Sequence, residues 1–95
     1  MLFANRIKQL REERELLQRH LAAALEIDTP MYSKIERGNR IAKREQVMKL
    51  AELLQTDRDE LLSLWLAERI LGLLEDEKEL VRDVLDVVKK NMIDK

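Results

Sequence analysis

Gln18-Arg19-His20-Leu21-Ala22, followed fourteen residues after Leu21 by Ile35-Glu36-Arg37-Gly38, is the stretch that decides how this chain folds. Leu21, Ala22 and Leu25 fall at helical spacing and form the apolar face of one short helix. Ile27, Tyr32 and Ile35 bury a second helix against it, with Glu26-Ile27-Asp28 as the tight connection. Asp28 before Thr29-Pro30 is a good N-cap, and Pro is tolerated in a first helical turn, so this helix is predicted over 29–37. Gly38 ends it, because glycine adopts the left-handed conformation that closes a helix without steric cost. Two short helices held in this way present one row of side chains outward.

Working outward, Phe3, Ile7 and Leu10 predict an earlier helix over 4–14 that ends near Glu15, and the helix carrying Leu21 is predicted over 17–25. After an irregular stretch, 39–43, Val47, Leu50, Ala51 and Leu54 predict a fourth helix over 44–54. Asp57 with Glu60 three residues later has the spacing of a capping box and opens a fifth. The composition agrees with an all-α chain: two Gly, one Pro and one each of Phe, Tyr and Trp stand against abundant Leu, Glu, Arg and Lys. Ninety-five residues make one small domain with an appendage.

This order of elements resembles the Cro and phage-repressor type of helix-turn-helix domain, the XRE family. The resemblance runs from about Phe3 to Leu62 and rests on Ile7, Leu10, Arg11, Gln18, Leu21, Ala22, Ile35-Glu36-Arg37-Gly38, Leu50-Ala51 and Leu61-Leu62. It implies an all-α, five-helix repressor-like domain over 1–66 whose third helix enters the DNA major groove. Three positions depart from the family pattern: Glu26 stands where the turn usually has Gly, Leu17 where a Ser or Thr cap is common, and Ala42 where Pro is frequent. A non-Gly residue at positive φ carries strain of roughly 1 kcal/mol or more, so Glu26 implies a strained turn or a changed geometry.

Carried over residue by residue, the resemblance sets Gln18 on a phosphate or an adjacent base and Thr29, Pro30, Met31, Ser33 and Lys34 along the groove-facing surface. Lys34 can donate to guanine and Thr29 can touch a thymine methyl, but Pro30 and Met31 offer apolar contact only. Part of the specificity is therefore expected from DNA shape, or from Arg37 and Arg40 beside the groove. A partly core or partner-facing Met31 is the plainer alternative. Asn39, Arg40, Lys43 and Arg44 are expected on phosphates, against the alternative of an ordinary solvated charge run. Arg11 and Glu36 match a pair that forms a structural salt bridge in the family and belong to the scaffold.

Net charge is near neutral, 18 Lys plus Arg against 19 Asp plus Glu, where a dedicated nucleic-acid binder usually carries a basic excess. The charge is divided by region. From Lys34 to Arg44 there are five bases against Glu36 alone, whereas Glu75 to Lys95 holds seven acids against five bases. Catalytic readings find little support: His20 is alone without Cys or an acid at metal spacing, Ser33 and Ser63 have no evident base, and there is no Gly-rich phosphate loop. No enzyme activity, metal, cofactor or small-molecule ligand is expected. With no Cys, no signal-like N-terminus and no apolar run of bilayer length, the expected address is the cytoplasm, prokaryotic by resemblance.

Residues 67–95 are read as a C-terminal helical extension and dimerisation element. Leu61 to Leu74 carries apolar groups on nearly every side of a helix, more than one small domain uses. Gly72 is expected to bend the chain, and Asp76 with Glu79 repeats the cap signature before a sixth helix striped with Leu80, Val84, Leu85, Val88 and Met92. A homodimer through Trp65, Ile70, Leu73, Leu80, Val84, Leu85, Val88 and Met92 is expected to set two recognition helices roughly 34 Å apart on a pseudo-palindromic DNA site. The alternative packing folds the sixth helix back onto the first and fifth of its own chain. The functional expectation is a sequence-specific transcriptional regulator, a repressor or autoregulator. The rival reading is an antitoxin-like protein-interaction module with little operator recognition.

Overall fold

The computed structural model describes residues 2–93, so Asp94 of the acidic C-terminal stretch lies outside the described residues. Six α-helices follow one another: α1 (Leu2–Glu13), α2 (Gln18–Ala24), α3 (Thr29–Glu36), α4 (Arg44–Leu53), α5 (Arg58–Leu74) and α6 (Val81–Met92), with a short 3₁₀ turn at Lys78–Leu80. The fold is all-α, as expected.

The first four helices all end the same way. After the last helical turn the chain passes through a residue at positive φ, Glu15 (54°), Glu26 (57°), Gly38 (79°) and Gln55 (52°) in turn. In each case the following N–H reaches back to close the terminus: Leu16 to the Arg11 carbonyl at 3.0 Å, Ile27 to Ala22 at 3.0 Å, Asn39 to Lys34 at 2.8 Å and Thr56 to Ala51 at 3.0 Å. The positive-φ residues add their own bonds, such as Glu26 N–H to the Ala23 carbonyl at 3.1 Å. This is the Schellman closure, and only one of the four has the glycine that makes it free of strain. Leu16 and Ile27, just past the first two closures, pack onto the core. The turn at Glu26 thus closes α2 at the cost of strain.

Helix starts are also assigned by side chains. Asp28 accepts from the Met31 N–H at 2.7 Å, with Pro30 in the first turn of α3, and Asp57 accepts from the Glu60 N–H at 3.3 Å. Leu17 has no capping side chain, so α2 begins one residue later than expected, at Gln18. His20 Nδ1 instead accepts from the Leu17 N–H at 2.9 Å. Gln46 does the same for Lys43 at the start of α4, at 2.8 Å.

The core gathers Phe3, Ile7 and Leu10 from α1, Leu21 and Ala22 from α2, Tyr32 and Ile35 from α3, Val47, Leu50 and Ala51 from α4, and Leu61, Leu62 and Trp65 from α5. Trp65, expected at a partner surface, is instead part of this core at 7% exposure. Its indole N–H donates to the Ala42 carbonyl at 2.9 Å, which fixes the loop between α3 and α4 against α5. Ala42 is itself buried in that contact. Arg6 on α1 pairs with Glu60 on α5 at 3.3 Å.

Burial stops at Trp65, but α5 runs on without interruption to Leu74. Gly72 does not bend it. The chain turns later, at Glu75–Glu77, and Asp76 caps nothing: the 3₁₀ turn and α6 both begin without a side-chain cap. Nor does α6 fold back onto α1 and α5. Its substantial packing is with the 3₁₀ turn alone, and it contains no buried residue. The resulting particle is elongated, 42 × 26 × 22 Å, with a radius of gyration of 15.2 Å. A compact chain of this length has about 12 Å.

Candidate nucleic-acid interface

The orientation of α3 is set by one buried carboxylate. Glu36, at the last position of α3, is 4% exposed. Arg11 of α1 meets it with two nitrogens, Nη2 to Oε1 at 2.8 Å and Nε to Oε2 at 3.0 Å. The same guanidinium donates through Nη1 to the Leu16 carbonyl at 3.0 Å, in the link between α1 and α2. Gln18 at the start of α2 adds Nε2 to Glu36 Oε1 at 3.3 Å. Three helices and a linker therefore converge on a single side chain. The scaffold role expected for Arg11 and Glu36 agrees with this geometry.

The electrostatics follow from the burial. Desolvation is the largest influence on Glu36 and opposes its charge, but the hydrogen bonds from Arg11 and Gln18, the nearby Tyr32 hydroxyl and the Arg11 charge together outweigh it. Its carboxyl titrates below the ordinary range. Arg11 is raised in turn, first by its hydrogen bond to Glu36. The Tyr32 hydroxyl is buried beside this carboxylate without meeting hydrogen-bond geometry, and burial is the main cause that pushes its pKa strongly upward.

Around that anchor, Thr29, Pro30 and Lys34 are exposed along α3, and Met31 and Ser33 are half-buried. Gln18 is half-buried with its amide nitrogen committed to Glu36, so it braces α2 against α3. Arg37 caps the C-terminus of α3 and folds back, Nε to the Ser33 carbonyl at 3.3 Å. Asn39, Arg40, Lys43 and Arg44 are exposed in the following loop and at the start of α4. Among the described residues, none of Lys34, Arg37, Arg40, Lys43 and Arg44 enters a salt bridge. Glu36, the one acid in that stretch, is buried and neutralised by Arg11. The surface from Lys34 to Arg44 therefore carries five exposed cations and no exposed carboxylate.

A family model described as a helix-turn-helix domain matches residues 2–64. The chain belongs to the helix-turn-helix domain family. No curated protein and no solved structure matches it. In this helix-turn-helix domain, α2 and α3 are the paired helices, and the Glu26 turn and the Arg11–Glu36 pair hold α3 with its outer face exposed. The family is one of DNA-binding regulators, and the exposed cations lie on and just after the second helix of the pair.

Three contributors have roles that the sequence reading does not assign. Ile41, 68% exposed, sits among the loop cations, and His20 and Gln46 act as capping acceptors for backbone N–H groups. His20 and Gln46 do stand three residues after their caps, where Glu or Gln is the usual partner. Among the described residues no helix is long and apolar enough to cross a membrane, and no group of three or more His, Cys, Asp or Glu is placed to hold a metal ion.

Proposed function

We propose that this protein is a sequence-specific transcriptional regulator of the XRE type, a repressor or autoregulator that binds a pseudo-palindromic operator as a homodimer. The observation that carries the reading is the acid-free row of exposed cations on and after α3, on a helix locked by a buried ion pair. Thr29, Pro30, Met31, Ser33 and Lys34 face the groove, Arg37 and Arg40 lie beside it, and Asn39, Lys43 and Arg44 hold phosphates. Gln18 braces the reading helix while lying next to the backbone. Few of these groups can make bidentate base contacts, so DNA shape supplies part of the discrimination. The exposed apolar faces of α5 and α6 support a second copy as the partner.

The test is selection of bound sequences from a random duplex pool, followed by titration of any winner at two salt concentrations. An enriched inverted repeat is expected. Lys34→Ala, Arg40→Ala and Arg44→Ala, all at exposed positions, should weaken binding, and the slope of log affinity against log salt should fall by about one for each phosphate no longer neutralised. Unchanged DNA association in the triple variant, with unfolding also unchanged, would refute the reading.

A further inference from the structure

This inference rests on the homodimer reading and specifies its surfaces. A groove of about 440 Å³ opens on the domain, lined by Phe3, Ile41, Trp65, Gly72 and Leu73. Three of its features lack an explanation within one chain. Leu73 and Ile41 are 81% and 68% exposed. Glu68, on the wall, has its Oε1 shielded from solvent with no hydrogen-bond partner. Gly72 lies inside a helix, where glycine is an unfavourable residue, yet a side chain there would have nothing within 4 Å of its Cβ. A helical glycine facing open space makes sense where another backbone approaches closely.

The complementary element is α6. Val81, Val84, Leu85, Val88 and Met92 recur at helical spacing along one face of α6, which contains no buried residue. Arg82 and Lys89, seven residues apart, border that face on one side, and Asp83 and Asp86 lie farther round. A basic border is what the unpartnered Glu68 carboxylate requires. Arg69 does not supply it, because its guanidinium lies over the Trp65 ring, 4.9 Å from the centroid. Among the described residues, none of α6 lines the groove of its own chain.

We infer that α6 of a second copy seats its apolar face in this groove, with Gly72 at the crossing and Arg82 or Lys89 against Glu68, and that the exchange is reciprocal. Stable interfaces bury about 1,200–2,000 Å² in total. One face of α6, about 18 Å long at 1.5 Å per residue, falls short of this alone, and two-fold exchange doubles it. The groove also includes Arg40, so the interface and the phosphate-facing loop share a wall.

The chain has no cysteine, which makes the test direct. Gly72→Cys and Val88→Cys variants, carrying tags of different mass, are mixed, oxidised and resolved by size. Val88 is exposed and a side chain at residue 72 has room, so both variants should fold. A disulfide between the two species, in large excess over either homodisulfide, is the expected result. Dominant Val88→Cys homodisulfides would mean that two α6 helices pair with each other and would overturn the inference. A chain carrying both Gly72→Cys and Val88→Cys that closes its disulfide within a monomer would overturn it in favour of folding back. Absence of any disulfide would overturn it as well. None of these readouts involves DNA, so failure here is separable from failure of operator binding, and sedimentation of the parent as a monomer would remove the homodimer itself.

Discussion

Replacing Glu26 with Gly should stabilise the domain, although Gly is the poorer helix former and no packing contact is added. Glu26 sits at φ 57°, where an L-residue brings its Cβ against the following carbonyl. That conformation costs roughly 1–2 kcal/mol for a residue with a Cβ and nothing for Gly. Gly returns about 0.5–1 kcal/mol of this through the greater freedom of its unfolded chain. The net gain is about 0.5–1 kcal/mol. Glu26 forms no salt bridge among the described residues, so the substitution removes no compensating ion pair. Urea unfolding followed through the fluorescence of Trp65, the single tryptophan and a core residue, reads the change as a midpoint shift of about 0.3–0.6 M.

Two companions make the experiment decisive. Gly38→Ala, at φ 79°, should destabilise by about 1 kcal/mol and move the midpoint the other way. Glu15→Gly and Gln55→Gly, at φ 54° and 52°, should repeat the Glu26 gain at independent turns. Their sum should depart from additivity only for the pair at 15 and 55, whose turns are joined by Arg14 Nη2 to the Gln55 carbonyl at 3.4 Å. Loss of stability in Glu26→Gly, alongside the expected loss in Gly38→Ala, would refute the strain argument, because both residues occupy the same closure.

Three further outcomes follow from the Glu36 centre and the α3 cap. Arg11→Met should destabilise by about 3–5 kcal/mol by stranding a buried carboxylate, and Arg11→Met with Glu36→Met should recover much of that in the same urea assay. Because the folded-state pKa of Glu36 is depressed, its contribution is fully present above the ordinary carboxyl value of 4.5 and is lost as pH falls through the lower folded value. Glu36→Gln should flatten that acid limb of stability against pH. Asp28→Ala removes the acceptor for the Met31 N–H, and thermal unfolding should show a loss of about 1 kcal/mol.

Most of the domain was legible because its determinants are local. Helical periodicity identified the core faces, Asp28 and Asp57 identified two starts, and Gly38 identified one end. Glu15 and Gln55 were not legible as left-handed closures, since nothing about Glu or Gln favours that conformation and only tertiary packing at Leu16 and across the core imposes it. Trp65 was misplaced for a related reason. A Trp amid Leu61, Leu62, Leu64 and Leu66 fits either side of a helix by pattern, and the choice was made by the Ala42 carbonyl, 23 residues away. The cap expected at Asp76 failed because the chain forms a 3₁₀ turn before α6 rather than entering a helix at residue 77.

Near-neutral composition is compatible with the proposed DNA-binding surface because burial sorts the charges. Glu36 is removed from the surface by Arg11, so the stretch from Lys34 to Arg44 shows only its cations to solvent. The carboxylates of Glu75, Asp76, Glu77 and Glu79 are exposed in the turn between α5 and α6, beyond the last core residue. A phosphate backbone attracts the first region and repels the second within a screening distance of about 8–10 Å. The repulsion therefore works together with the attraction, favouring approach by α3 and disfavouring approach by the extension. Net charge measures neither effect; the grouping of exposed charge by region of the chain does.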